Sequence, residues 1–128
     1  MKPSTREWVK KAETDYQLAV ALSRRRKVTF HDHGCFACQQ CAEKYLKARL
    51  EEAGILPPKT HDLARLVTLL LPVEPLWAAM LPTVSLLSDH AVEFRYPGHE
   101  ATAQDFKKAL KAAQMVRKEA RTSFGLRV

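Results

Sequence analysis

A chain of 128 residues can bury about two thirds of its unfolded surface, so it needs neither a disulfide nor a metal to fold. Its 4 glycines are few, and its many Ala, Leu, Lys, Arg and Gln residues favour an all-α protein. No apolar run approaches the ~20 residues that span a bilayer, and charged residues follow Met1, unlike a signal peptide. We therefore expect a cytoplasmic protein whose residues 1–128 form one helical domain.

The net charge of +7 would suit a partner that carries phosphates, because basic proteins release counterions when they bind nucleic acid. The excess is uneven along the chain. One basic cluster spans residues 24–27, and the chain after Asp105 is rich in Lys and Arg, with Glu119 as the only acid. Solvated loops and helix surfaces would carry the same charges, so an acidic partner and a merely soluble surface both remain open.

The first predicted helix spans residues 4–23, with Ser4 or Thr5 as its N-cap and apolar residues recurring every three to four positions from Trp8. A short connection that contains the basic cluster separates it from the next helix. Because short connections join antiparallel neighbours, we expect the first two helices to form a hairpin.

The second predicted helix, from Phe30 to Gly54, has the clearest separation of apolar and polar residues at the helical period. Small residues dominate its apolar arc and allow close approach of another helix, while Gly54 supplies a C-terminal stop. Phe36 is the one aromatic residue outside that arc. The polar side comprises Gln39, Gln40, Glu43, Lys44, Lys47 and Glu51. This helix should form the inner wall of a bundle.

Prolines divide the rest of the chain. The expected segments are a short helix capped by Thr60 and ending before Pro72, a broken helical region over 73–96, and a last helix over 101–122. Pro82 should begin a helix, because inside one its ring would remove a donor and clash with the preceding turn. Pro97-Gly98 should break the chain sharply. The expected fold is therefore an all-α, antiparallel up-and-down bundle of four to five helices.

Cys35, Cys38 and Cys41 have a spacing that invites a zinc or iron–sulfur interpretation. On one helix their sulfurs would step round by about 60° per interval and climb roughly 9 Å, so they could not converge on one ion. We expect buried free thiols, which fit a reducing compartment. His31 and His33 lack a third clustered ligand, so no metal or cofactor is expected.

The segment from Asp89 to His99 is the densest group of possible acid–base residues. Arg95 and His99 lie on either side of the expected chain break, where a guanidinium and an imidazole could meet at a helix end. Such a pair suits RNA cleavage, because His can move the 2′-hydroxyl proton near neutral pH while Arg holds a phosphate. The alternative is that Arg95 pairs with Glu93 or Asp89 and that His99 is exposed in the turn.

With these residues the chain resembles the HEPN family, the small helical domain found in prokaryotic toxin–antitoxin pairs and nucleotide-associated proteins. The resemblance covers nearly the whole chain and depends on the order of its motifs. These are an early Trp/Ala-rich helix, an AxQQxxEKxLKA pattern over residues 37–48, a Thr60-His61-Asp62-Leu63 step after a proline loop, and Arg95-Tyr96-Pro97 before the last helix.

The resemblance implies an antiparallel helical bundle, usually dimeric and often encoded beside a minimal nucleotidyltransferase. Ribonuclease members of the family carry an Arg, then four to six residues, then a His, whereas three residues separate Arg95 from His99 here. These two residues are the candidate catalytic pair. Nucleotide or RNA binding is expected at Arg95 and Tyr96, together with Lys44, Lys47 and His61 of the same motifs.

Three functions follow as alternatives. The first is a dimeric nucleotide- or RNA-binding partner of a minimal nucleotidyltransferase in a toxin–antitoxin-like pair, the second a metal-independent ribonuclease toxin that uses Arg95 and His99, and the third a purely structural dimeric scaffold. A homodimer is also expected because the chain has more large aromatics than one small core readily hides. The aromatics in question are Trp8, Trp77, Phe94 and Tyr96.

Overall fold

Helix-favouring composition and proline punctuation produce five α-helices and one short 3-10 helix in the computed structural model, which describes residues 1–128 and contains no strand. In chain order the elements are α1 Pro3–Ser23, α2 His31–Glu52, α3 Leu63–Leu70, the 3-10 helix Pro75–Met80, α4 Leu81–Glu93 and α5 Ala103–Phe124. The all-α bundle expected from the sequence is confirmed. None of the helices combines the length and the apolar character that crossing a membrane requires.

The α1–α2 hairpin is confirmed, but the predicted N-cap of α1 is wrong. Pro3 occupies the first helical turn, where its fixed φ suits the helix, so Ser4 and Thr5 lie inside α1 rather than before it. Their hydroxyls donate instead to the carboxylates of Glu51 and Glu52, at 2.8 and 3.0 Å. These bonds tie the start of α1 to the end of α2, as an antiparallel pair requires.

Helix α2 is the central element, and it is buried on more than its apolar arc. The expected stop is confirmed, with Gly54 in the left-handed region at a φ of 76°. The difference is on the polar side, where Gln39, Glu43 and Lys47 are at most 6% exposed. The chain entering α3 covers this side, and Lys47 lies 5.8 Å from the Trp8 ring centre. The helical periodicity separated the polar from the apolar residues of α2 correctly, but several of the polar residues are buried rather than exposed.

The three cysteines of α2 are free and buried, as expected from their positions on one helix. Burial raises the pKa of the Cys35 thiol to about 12, and the pKa values of Cys38 and Cys41 also rise because these thiols are desolvated. Nowhere in the chain do three His, Cys, Asp or Glu side chains gather as metal ligands would. The cysteines are packing residues, since an un-ionised buried thiol behaves as a small hydrophobe.

Helix α3 begins later than expected, and Asp62 rather than Thr60 caps it. The Asp62 carboxylate accepts from the backbone N–H of Arg65 at 3.3 Å, while the Thr60 hydroxyl accepts from the backbone N–H of Asp62. Ser88 of α4 donates to the backbone carbonyl of His61 at 2.9 Å. The residues before α3 are therefore held against both α2 and α4.

Pro82 lies in the first turn of α4, which confirms that it begins a helix. Trp77, in the preceding 3-10 helix, is only 4% exposed. The expectation of several surplus aromatics is therefore wrong for Trp77, because the loop after α3 folds back over the core. Tyr96 is 64% exposed and is the one Trp, Tyr or Phe of the chain left largely in solvent.

The turn between α4 and α5 is held against the start of α2. The Asp32 carboxylate accepts from the backbone N–H of Ala101 at 2.7 Å, so Asp32 tethers this turn rather than capping its own helix. Gly98 has a φ of 90°, as the expected chain break requires. Further along, the Phe106 ring occupies the space where a side chain on Gly34 would stand. Helix α5 thus starts beside the start of α2, and it runs in the same direction because Arg121, near its end, contacts Tyr45 further along α2.

Candidate functional site

Arg95, in the turn after α4, lies over the ring of Phe36 on α2, with 4.7 Å between its guanidinium carbon and the ring centroid. Neither Glu93 nor Asp89 pairs with it, although the sequence left that alternative open. A guanidinium on an aromatic face keeps its edge donors free, since stacking uses the face of the group. Arg95 is thus an oriented cation whose hydrogen bonds are not taken up by the protein.

His99 points to a different set of contacts. Its Nδ1 lies 3.2 Å from a carboxylate oxygen of Glu93, and both side chains are about half exposed. His99 does not line the cleft that contains Arg95. The two candidate catalytic residues are therefore close in sequence, but Arg95 lines the cleft and His99 lies outside it.

The cleft under Arg95 has a volume of about 120 Å³ and lies between α2, the residues before α3, and α4. Its polar lining includes Gln40 and His61, and its floor includes Phe36 and Ala91. The cleft is small compared with the 300–1,000 Å³ of pockets that enclose whole ligands. It has room for one group of a ligand, with the remainder outside.

His61 is held in this cleft by the buried carboxylate of Glu43. The imidazole Nδ1 lies 2.8 Å from Glu43 Oε1, while Lys47 donates to Glu43 Oε2 at 3.0 Å and Gln39 donates to Oε1 at 3.0 Å. Burial raises the pKa of Glu43, but the bonds from Gln39, His61 and Lys47 outweigh it and hold the pKa below its usual value. We call Gln39, Glu43, Lys47 and His61 the Glu43 cluster.

The other expected binding residues differ in whether their side chains are free to contact a ligand. Lys47 is buried and bonded to Glu43, and Lys44 is half-buried with its ammonium 2.6 Å from Asp15. Tyr96 is exposed next to Arg95. Only Arg95, Tyr96 and His61 of the expected binding set therefore present free polar atoms or ring faces near the cleft.

The sequence pattern did not identify Phe36 or Glu43 as site residues. Phe36 carried a usable signal, because it was the one aromatic outside the apolar arc of α2 and so needed another partner. Glu43 carried none. Its partner His61 is 18 residues away across a loop, and no local spacing indicates that contact.

Part of the basic charge is used inside the protein. Arg117 of α5 forms a two-pronged pair with Glu13 of α1, at 2.9 and 2.8 Å, and Arg121 donates to the Tyr45 hydroxyl at 3.1 Å. The exposed cations are concentrated elsewhere. They include residues 24–27 before α2 and Lys107, Lys108, Lys111 and Lys118 on α5.

Comparison with known proteins supplies the family context. The chain matches the family model of the HEPN domain over residues 5–122. Its fold is similar to the crystal structure of an archaeal HEPN homologue, with 24% sequence identity, a TM-score of 0.73, and coverage of 96% of this chain and 98% of the other. No curated protein matches the sequence significantly.

Proposed function

Because this chain belongs to the HEPN domain family, we propose that it is a binding module for RNA or nucleotides in which Arg95 contacts phosphate. The observation that carries the proposal is the guanidinium of Arg95 stacked on Phe36 at 4.7 Å, with no carboxylate partner, at the mouth of a small cleft. A planar guanidinium matches two phosphate oxygens at once, and it stays charged at every physiological pH.

Rigid support strengthens the phosphate contact. Phe36 lies on α2, the most buried helix of the bundle, so the ring gives Arg95 a fixed platform. An arginine held in this way loses little conformational entropy on binding, whereas a mobile surface lysine loses more. Tyr96 is exposed beside it and offers a ring on which a base could stack.

We favour binding over the alternative in which Arg95 and His99 act together to cleave RNA. His99 is engaged by Glu93 and lies outside the cleft, so it does not face a phosphate held by Arg95. A general acid or base must be within hydrogen-bond reach of the proton it moves. The ribonuclease alternative would require the turn over residues 96–99 to rearrange.

We also propose that the protein is a homodimer that partners a minimal nucleotidyltransferase in a toxin–antitoxin-like pair, as the family resemblance implies. Exposed apolar side chains on and after α4 support a protein partner: Leu86 and Val92 are each 49% exposed, and Tyr96 is 64% exposed. Light scattering at micromolar concentration tests the dimer. Co-purification with a nucleotidyltransferase encoded beside the gene tests the partner.

The phosphate contact is tested by fluorescence anisotropy with a labelled single-stranded RNA. Arg95→Ala should weaken binding by about 10- to 100-fold, since a hydrogen bond to a charged group is worth about 1.5–3 kcal/mol. The slope of log affinity against log salt should become shallower by about 0.7.

Arg6→Ala is the matched control. Arg6 lies on α1, beside the end of α2 that is far from Phe36, so this substitution removes one positive charge away from the cleft. Arg6 is exposed on the first turns of α1, where neighbouring residues contact Glu51, and Glu51 is about 22 Å along the helix from Phe36. Equal effects of the two substitutions, or no binding by the unaltered protein, would refute the proposal. Cleavage in EDTA that disappears in both Arg95→Ala and His99→Ala would favour the ribonuclease instead.

A further inference from the structure

The Glu43 cluster fixes which nitrogen of His61 is available to a ligand. Glu43 is buried and ionised, and a carboxylate in that state only accepts hydrogen bonds. The contact at Nδ1 therefore places a proton on Nδ1, and a neutral His61 has a lone pair at Nε2. No atom of the protein hydrogen-bonds to Nε2, and the His61 side chain is 74% exposed.

His61 and Arg95 line the same cleft, where their chemistry is complementary. Arg95 always donates hydrogen bonds, whereas neutral His61 only accepts one at Nε2. A ligand that satisfies both must accept bonds from Arg95 and share a proton with His61. The cleft volume of about 120 Å³ suits one phosphate group better than a whole nucleotide.

We propose that this cleft binds a terminal phosphate monoester, held by Arg95 and sharing one proton with His61, and so distinguishes the phosphorylated end of RNA or a nucleotide from internal phosphates. The inference depends on the proposed function and specifies its ligand. Arg95 would supply most of the affinity, and His61 would supply the selectivity for the end.

The selectivity follows from where the shared proton can reside. A phosphate monoester loses its second proton with a pKa near 6, so it can present a P–OH to neutral Nε2 or accept from a protonated imidazole. An internal phosphodiester has no such proton at neutral pH. Its contact with His61 forms only if the imidazole alone becomes protonated. The monoester therefore has two routes to the same hydrogen bond, and the diester has one.

The charged groups around His61 favour a single orientation of the phosphate. Glu43 and, through it, Lys47 face the imidazole from α2, and Arg95 faces the cleft from the turn after α4. On its other side His61 borders a second cleft with an acidic lining. The acids are Asp62, Asp89 and Glu93. These carboxylates repel a phosphate from that side and leave the side of Arg95 as the favourable one.

The shared proton makes end recognition dependent on pH. Near pH 6 the free phosphate monoester holds much of the proton that the complex needs, whereas near pH 8 that proton must come from solvent. The affinity for the phosphorylated end should fall by up to about 10-fold per pH unit above pH 7. Affinity for an RNA without a terminal phosphate should change much less.

Calorimetric titration with one short RNA, prepared with a 5′-phosphate, with a 3′-phosphate or with hydroxyls at both ends, tests the inference. We expect at least one phosphorylated form to bind about 10-fold more tightly than the hydroxyl form at pH 6.5. Titrations at pH 8 in two buffers of different ionisation enthalpy should show close to one proton taken up per phosphorylated end. His61→Gln should remove the preference and the proton uptake while retaining Arg95-dependent binding.

His99→Gln is the matched control, because His99 is also a histidine held by a glutamate but lies outside the cleft. It should leave the end preference unchanged. Circular dichroism confirms that each variant is folded. Equal affinity for all three RNAs, with weaker binding to each in Arg95→Ala, would overturn the end recognition and leave the phosphate contact standing. If no RNA binds, the proposed function itself fails.

Discussion

Two carboxylates packed against α2, the half-buried Glu13 of α1 and the buried Glu43 of α2 itself, differ in how their hydrogen-bond networks end. The Glu13 cluster, defined as Glu13, Tyr45, Arg117 and Arg121, joins α1, α2 and α5. Arg117 engages both oxygens of Glu13, and the Tyr45 hydroxyl donates to Glu13 and accepts from Arg121. The last donor, Arg121, also donates to a backbone carbonyl. The strong donors of this network end on protein atoms.

The Glu43 cluster begins in the same way but ends in solvent. Lys47 and Gln39 satisfy the buried carboxylate from within α2, and the third partner, His61, has its second nitrogen free. A closed network fastens helices together, whereas an open one also presents an oriented polar atom to a ligand. The closed network suits a purely structural role for the Glu13 cluster, and the open one suits the binding role that we propose for the Glu43 cluster.

The largest expected effect is on stability, from Glu43→Ala. This change would leave the Lys47 ammonium buried without its carboxylate, and breaking a buried pair on one side lowers the free energy of unfolding by about 3–5 kcal/mol. Urea denaturation measures the loss. Glu100→Ala, at an exposed position without an ion pair, should change stability by no more than about 0.5 kcal/mol. A loss below about 1 kcal/mol for Glu43→Ala would show that solvent reaches this cluster.

A smaller stability loss, with no loss of binding, is expected for Glu13→Ala. The Glu13 and Arg117 side chains are 24% and 16% exposed, so the unpaired guanidinium can partly hydrate and the loss should be about 2–3 kcal/mol. RNA affinity of the folded variant should stay within about twofold of the unaltered protein. Weaker RNA binding by folded Glu13→Ala would break the distinction between the two clusters.

Acid should weaken both clusters in a graded way. Burial opposes ionisation of Glu13, but bonds from Arg117 and Tyr45 hold its pKa below 4.5, and the Glu43 pKa is lowered as well. A folded-state pKa below the unfolded value stabilises the protein above about pH 4.5 and ceases to do so as the pH falls through the folded-state pKa. Unfolding midpoints in urea should therefore decline below pH 4.5. Glu13→Gln should decline less steeply, and an equal slope would contradict its lowered pKa.

Local signals predicted much of the fold. Helical periodicity gave the extent of α1, and glycine and proline gave the end of α2 and the bounds of α4 to within a few residues, since these two residue types restrict or free the backbone wherever they occur. Caps were less predictable, because Pro3 competed with Ser4 for the start of α1 and Asp62 with Thr60 for that of α3. Which residue caps a helix depended on the other hydrogen bonds available: the Ser4 hydroxyl donates to Glu51 of α2, and the Asp62 carboxylate accepts from the backbone N–H of Arg65.

The site was only partly predictable for a related reason. Arg95 was predicted from its motif, but the motif did not indicate that Phe36 of α2 would lie under its guanidinium. His61 and Glu43 were both within recognisable motifs, but their contact depends on how the loop before α3 folds back onto α2. Helical periodicity places Glu43 on a polar side and cannot show that another segment covers that side. Tertiary contact determined which polar residues became a site.

The smallest expected effect concerns the platform under Arg95 and sharpens the comparison at its open end. Phe36→Leu keeps an apolar side chain but removes the ring face, and a cation–π contact at an exposed site is worth about 0.5–1 kcal/mol. RNA binding should weaken by about 2- to 5-fold with little change in stability.

Phe30→Leu provides the control for that change. In the connection between α1 and α2, the Arg25 guanidinium lies 5.4 Å from the Phe30 ring centroid and makes a similar cation–π pair. Phe30 does not line the cleft. Anisotropy titrations of both variants with the same RNA should therefore show weakening only for Phe36→Leu. An equal loss in both would mean that RNA follows exposed basic charge in general, and the open end of the Glu43 cluster would then have no special role in binding.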